Sequence, residues 1–179
     1  MRRLSCCPHN PMSSSETPSQ ALFPVLYSPS SVAVIGAGIA GSSVALALCK
    51  LGVQVHLHDS ASGPAAGASG NWVGAFHPHI TRGDSPLSQL TRLGFEHTLL
   101  ALEDLTAQGL LKKGVDWDTP GHLQTVPPEE ADRARETLEL LNFPQTLVRW
   151  AQPNALLPTP LSGLFFPQGA YIANGAVVM

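Results

Sequence analysis

Val32-Ala33-Val34-Ile35-Gly36-Ala37-Gly38-Ile39-Ala40-Gly41 begins as a continuous apolar run and ends in a Gly-x-Gly-x-x-Gly spacing. Val32, Val34 and Ile35 are β-branched, and an apolar run without polar alternation predicts a strand buried on both faces of a parallel sheet. Gly36 lets the chain turn sharply, Gly38 lets a ligand approach the backbone, and Gly41 lets the next helix pack closely on the strand. Ser42 to Lys50 is rich in good helix formers, and Gly52 stands where that helix should stop. Val53 to His58 then predicts a second strand, closed by Asp59.

Strand, glycine turn, helix, strand and terminal acid together form the layout that grips an adenine dinucleotide. The unpaired N–H groups and dipole at the helix start favour an anion, so Gly36, Ala37, Gly38, Ile39, Ala40 and Gly41 are expected to hold the pyrophosphate. Asp59 lies 23 residues after Gly36, close to the offset at which a carboxylate accepts hydrogen bonds from the adenosine ribose. A carboxylate there repels a ribose 2′-phosphate, which disfavours NADP. The spacing alone is weak in a chain with 16 glycines; its strand–helix–strand context carries the reading against a glycine turn that binds nothing.

Ser60 to Gly74 is a stretch of small residues with little packing bulk. Its glycines free backbone N–H groups to converge on an anion, and Ser69 and Asn71 add side-chain hydrogen bonds. Gly67, Ala68, Ser69, Asn71 and Gly74 therefore join the expected cofactor-binding set, with a plain flexible linker as the alternative.

Composition narrows the class further. A net charge of −3 with ten Lys plus Arg leaves no electrostatic footprint for nucleic acid in this piece. Cys6, Cys7 and Cys49 are too few for a disulfide framework, and Cys6, Cys7 and His9 lack the fourth ligand of a zinc site, so no metal is expected. Residues 1–30, with their prolines and serine run, read as a disordered leader without the apolar segment of a secretory signal, and Met12 is an alternative start. No charge falls between Glu16 and Lys50, a length that could span a bilayer. Pro24, Pro29 and the glycines break it, so no membrane span is expected. Reduced thiols suit a cytoplasmic protein.

Beyond the first unit, Ser85-Pro86 reads as an N-cap with proline at the first helical position, opening a helix over 86–108 with Leu87, Leu90, Phe95, Leu99, Leu102 and Leu105 at mostly helical spacing. A second helix is expected after Pro128, with Glu129, Glu130 and Asp132 at its positive end, running to Leu141. Residues 122–126, 146–150 and 164–166 read as short strands of a second sheet. The fold class is thus α/β: a Rossmann-like βαβ unit over 31–80, then the start of an α+β substrate domain over 81–179. A doubly wound sheet needs more parallel strands than two, so the chain reads as truncated.

With the glycine turn, Asp59 and Gly67-Ala68-Ser69-Gly70-Asn71 in hand, the sequence resembles the D-amino-acid-oxidase-like family of FAD-dependent oxidoreductases. Gly74-Ala75-Phe76-His77-Pro78, Asp84-Ser85-Pro86-Leu87 and Phe166-Pro167-Gln168-Gly169-Ala170-Tyr171 bring it closest to one branch, the FAD domain of bacterial bifunctional enzymes that modify the tRNA wobble uridine. The resemblance covers about residues 31–175. It implies FAD as cofactor, with the pyrophosphate on Gly36, Gly38 and Gly41, the ribose on Asp59, and Ser69 and Asn71 along the pyrophosphate and ribityl side. The reaction implied is hydride transfer from the carbon beside a secondary amine to the flavin, followed by hydrolysis of the imine. That reaction removes the carboxymethyl group from carboxymethylaminomethyl-uridine before a methyltransferase acts.

His77 and His79 would lie near the flavin on that resemblance, with covalent attachment and a metal pair as the less favoured readings. Arg82 and Arg92 read as ordinary solvated arginines, with a carboxylate or phosphate contact as the alternative. The catalytic residues are not legible. Two other functions stay open: an amino-acid or sarcosine-type oxidase acting on a free small amine, and a non-catalytic dinucleotide-binding remnant.

Overall fold

The computed structural model describes residues 2–6, 29–152 and 161–173. The chain divides between Asn71 and Trp72 into two compact units. In the first, β1 (Arg2–Cys6), β2 (Ser31–Ile35) and β3 (Gln54–Asp59) form a sheet in the order β1-β3-β2. The β2 and β3 strands run parallel, with Val32 opposite Val55 and Val34 opposite Leu57. Val34 and Val55 are buried, but Ser31, Ala33 and Ile35 are exposed, so β2 buries one face rather than the two that its unbroken apolar run predicts. Parallel neighbours need a crossover, and α1 (Ile39–Lys50) supplies it. The helix begins inside the glycine motif, three residues before the expected Ser42, because extended Gly38 is its N-cap. It ends where Gly52, at φ +78°, donates its N–H to the Cys49 carbonyl.

The leader expected over 1–30 departs from the structure at its start. Arg2–Cys6 is a strand, antiparallel to β3 with Arg2 opposite Asp59, and it pairs an edge that would otherwise present open N–H and C=O groups. Cys7, His9 and Met12 lie outside the described residues, as does the chain end at 174–179.

The second unit holds β4 (Val73–Phe76), α2 (Pro86–Ala107), β5 (Trp117–Asp118), β6 (His122–Thr125), α3 (Ala131–Leu141), β7 (Arg149–Ala151), β8 (Gly163–Phe166) and β9 (Ala170–Ala173). They build two antiparallel sheets, β4-β9-β5 and β6-β8-β7. Ser85 caps α2 as expected, its hydroxyl accepting the Ser88 N–H, with Pro86 in the first turn. The buried face follows the expected pattern from Phe95 onward, with Leu99 and Leu105 half-buried, and departs from it in the first turn. Ser88, Phe95 and Leu102 are buried at seven-residue intervals, whereas Leu87 and Leu90 are exposed. Ser88 tolerates burial because its hydroxyl donates to the His79 carbonyl at 2.7 Å.

Trp117 is fully buried, and its indole N–H donates to Thr106 Oγ1 at 2.9 Å, tying β5 to the last turn of α2. Val148, Leu164 and Phe166 form a second cluster, covered by Ile80, Val126, Leu138 and Phe143. A 3-10 turn at Pro128–Glu130 precedes α3. The strand expected over 146–150 starts later, at Arg149, because the Leu147 and Val148 N–H groups turn back to the Pro144 carbonyl.

Candidate functional site

The C-terminal ends of β2 and β3 open onto a cleft of about 400 Å³ lined by Ile35, Gly36, His58, Asp59 and Ser60. Ligands of open parallel sheets bind at this end of the strands. Gly36 sits at φ +102°, a conformation that needs glycine, and its N–H donates to the His58 carbonyl at 2.7 Å. A Cβ on Gly41 would lie 1.8 Å from the Gly36 carbonyl oxygen, so the helix start touches the turn as the motif requires.

Asp59 does more than close β3. Its Oδ2 accepts the Ala37 N–H at 2.6 Å and its Oδ1 accepts the Ala61 N–H at 2.8 Å. These backbone donors, the Ala37 N–H foremost, hold its carboxyl below the ordinary carboxylate range against the opposing effect of partial desolvation. The group is an acceptor with lone pairs to spare for hydroxyls.

The small-residue loop docks onto the glycine turn. Ala65, at φ +56°, donates its N–H to the Ala37 carbonyl at 2.9 Å. Ser69, in a 3-10 turn at Ala68–Gly70, accepts the Ile39 N–H at 3.0 Å. A Cβ on Gly38 would come within 2.9 Å of that hydroxyl oxygen. Ala37 and Ile39 thus give their N–H groups to the chain's own acceptors. The Gly38, Ala40 and Gly41 N–H groups have no partner among the described residues. Three backbone donors at a helix start beside a serine hydroxyl fit a pyrophosphate.

The structure therefore brings Gly36, Ala37, Gly38, Ile39, Ala40, Gly41, Asp59 and Ser69 together. Gly67 leads into the loop's 3-10 turn, Ala68 opens it, and Asn71 closes it with its N–H on the Ala68 carbonyl. Gly74 belongs to the other unit, in β4, opposite Ile172 of β9. Sequence reasoning passed over Ile35, His58 and Ser60 as cleft walls. The signal was adjacency: residues flanking the strand-end acid and preceding the first glycine must border whatever Asp59 binds.

A family model described as FAD dependent oxidoreductase (DAO) matches residues 31–179. The chain belongs to the DAO family of FAD-dependent oxidoreductases. The cofactor of this family is FAD, and the α/β unit of β2, α1 and β3 is the start of its Rossmann-like binding fold.

Among curated relatives of this DAO protein, the tRNA 5-methylaminomethyl-2-thiouridine biosynthesis bifunctional protein MnmC of Cupriavidus metallidurans is 37% identical over 147 residues, 78% of this chain and 21% of the relative. MnmC of Cupriavidus necator is 34% identical over 157 residues, 84% of this chain and 23% of the relative. MnmC of Delftia acidovorans is 48% identical over 91 residues, 51% of this chain and 14% of the relative. The chain spans less than a quarter of the length of these relatives.

The remaining candidates have structural occupations in the second unit. His77 stacks on His122 with ring centroids 4.3 Å apart and on Phe166 at 4.5 Å, and its Nδ1–H donates to the Pro78 carbonyl. His79 gives its N–H to Thr91 Oγ1. Arg92 makes a bidentate pair with Asp84, lies over the Phe143 ring and is mostly buried, so it is no ordinary solvated arginine. Arg82 pairs with Glu136 at 3.4 Å on the surface. No group of three or more metal-ligating side chains occurs among the described residues, and no described helix is long and apolar enough to cross a membrane.

Proposed function

We propose that this DAO-family chain carries the adenosine-diphosphate end of the FAD site in an oxidoreductase that acts on a secondary amine. The observation that carries this reading is the trio of N–H groups at Gly38, Ala40 and Gly41 that have no partner among the described residues, beside the Asp59 carboxylate. In this reading Gly38, Ala40 and Gly41 hold the pyrophosphate, the Ser69 hydroxyl donates to it while keeping the Ile39 N–H, and Asp59 accepts from the ribose hydroxyls. Asn71 and Gly67 are the proposed further contacts along the cofactor. When bound, FAD supplies a two-electron acceptor for the hydride on the carbon beside the amine nitrogen.

The proposed substrate is carboxymethylaminomethyl-uridine at the tRNA wobble position, supported by relatives whose names place them in tRNA 5-methylaminomethyl-2-thiouridine biosynthesis. Removal of the carboxymethyl group leaves a primary amine, and a separate methyltransferase is the proposed partner that acts next. The proposed location is the cytoplasm, with tRNA.

Incubating the flavin-loaded protein with tRNA bearing the carboxymethylaminomethyl group, and separately with glycine and sarcosine, tests the proposal. Bleaching of the flavin by the tRNA alone is the expected result. Turnover of the free amines alone makes the protein an amino-acid or sarcosine-type oxidase. FAD retention with no reduction by any amine makes it a dinucleotide-binding module.

A further inference from the structure

The second unit contains a cleft of about 220 Å³ between α3 and the β6-β8-β7 sheet, wholly separate in its residues from the glycine turn and Asp59. Its origin lies in the α3 sequence. Leu138 packs on the cluster of Val148, Leu164 and Phe166, but Ala134, one turn earlier on the same face, is too short to continue that packing. Space remains above Val126 and Leu164, giving the cleft an apolar floor. Such a volume equals about seven waters of liquid and suits a small molecule.

The mouth is polar. Arg133 and Glu130, three residues apart, both line it, yet they form no ion pair with each other. Among the described residues no carboxylate pairs with the Arg133 guanidinium. Arg82 reaches the same mouth, held among the described residues by its exposed 3.4 Å pair with Glu136, an interaction weak enough to be exchanged. Gln124 adds an amide from β6. Small-molecule sites share this lining of an apolar floor with a few convergent polar groups; the cleft is smaller than the roughly 300–1,000 Å³ of drug-sized sites, and Glu130 and Arg133 at its mouth are exposed.

We propose that this cleft binds a small aliphatic carboxylate, with Arg133 forking onto the carboxylate and the hydrocarbon body lying against Val126, Leu138 and Leu164. A guanidinium matches a carboxylate in a planar two-bond fork, and the apolar floor suits a short hydrocarbon chain, for which isovalerate and leucine serve as probes. Glu130 beside Arg133 additionally suits an α-ammonium group, so amino acids and simple acids share the carboxylate contact and differ at Glu130.

The test titrates the full chain with isovalerate and, in a second arm, with leucine, following the thermal midpoint and backbone amide shifts of α3 and β6. Saturable shifts at Arg133, Ala134 and Gln124 are expected in at least one arm, and stronger binding of leucine assigns the ammonium to Glu130. Arg133→Met keeps the aliphatic stem and removes the charge; it should weaken binding at least about tenfold, the loss of one charge-assisted pair. Ala134→Leu fills the void and should abolish binding while raising the midpoint of the free protein. Absence of shifts with both probes, or binding unchanged in both variants, overturns the proposal. Neither outcome depends on FAD, so the readout stands apart from the cofactor reading.

Discussion

Replacing Gly41 by alanine places a methyl carbon 1.8 Å from the Gly36 carbonyl oxygen and 3.5 Å from Val34 Cγ1. Neither the oxygen nor the turn that carries it can rotate away, because Gly36 is fixed by its N–H on the His58 carbonyl and Ala37 by its N–H on Asp59. The start of α1 must therefore retreat by about 1.2 Å before the contact reaches even 3.0 Å, an overpacking that costs about 1–3 kcal/mol. For a chain of this length that lowers the thermal midpoint by about 2–4 °C per kcal/mol. The same retreat carries off the Ala40 and Gly41 N–H groups, so retained FAD should fall about tenfold for each 1.4 kcal/mol of binding lost. Gly36→Ala is the control: no atom lies within 4 Å of its Cβ, and only the strain of φ +102° acts, about 1–3 kcal/mol. The assay is flavin absorbance per protein after gel filtration, with the thermal midpoint measured alongside. If Gly41→Ala keeps FAD and its midpoint as the wild type does, the close contact at the turn is not what positions the proposed phosphate donors.

Two predictions concern the second unit. Trp117→Phe removes the indole N–H from Thr106 Oγ1 and empties part of a fully buried site, so urea unfolding should show a loss of about 1–3 kcal/mol, and a loss under 0.5 kcal/mol refutes the role given to Trp117. Burial first, and the neighbouring His77 second, lower the pKa of His122 below the usual imidazole value, so the folded state favours neutral His122. Its contribution to stability is complete above the unfolded pKa of about 6.5 and is lost as pH falls below that value toward the depressed folded pKa. Thermal midpoints between pH 7.5 and 5 should fall less steeply in His122→Phe, which keeps a ring against His77; an identical slope removes His122 from the pH response.

The first unit was legible for a local reason. A parallel strand, a glycine turn and a helix start are specified by residues close in sequence: β-branched Val32, Val34 and Ile35, then glycines whose backbone freedom no other residue matches. The periodicity of α2 and its Ser85-Pro86 cap were equally local. The face of α2 was legible from Phe95 onward but not in the first turn, where Leu87 and Leu90 have the right hydrophobicity and spacing, yet Ser88 is the residue that meets the His79 carbonyl. The β4-β9-β5 sheet was missed because its strands are two to four residues long and its partners, such as Gly74 and Ile172, lie about a hundred residues apart. Such pairing leaves no periodic trace in either segment alone.

The sequence by itself determined the dinucleotide-type βαβ unit, its glycine turn and the strand-end acid, since each depends on backbone freedom or on hydrophobic patterning within a few residues. Tertiary structure alone decided how the turn's donors are shared. Asp59 takes the Ala37 N–H and Ser69 takes the Ile39 N–H across separations of 22 and 30 residues, leaving the Gly38, Ala40 and Gly41 N–H groups without a partner among the described residues. Hydrogen-bond partners are chosen by distance in space, and no property of either residue's neighbours in the chain encodes that choice.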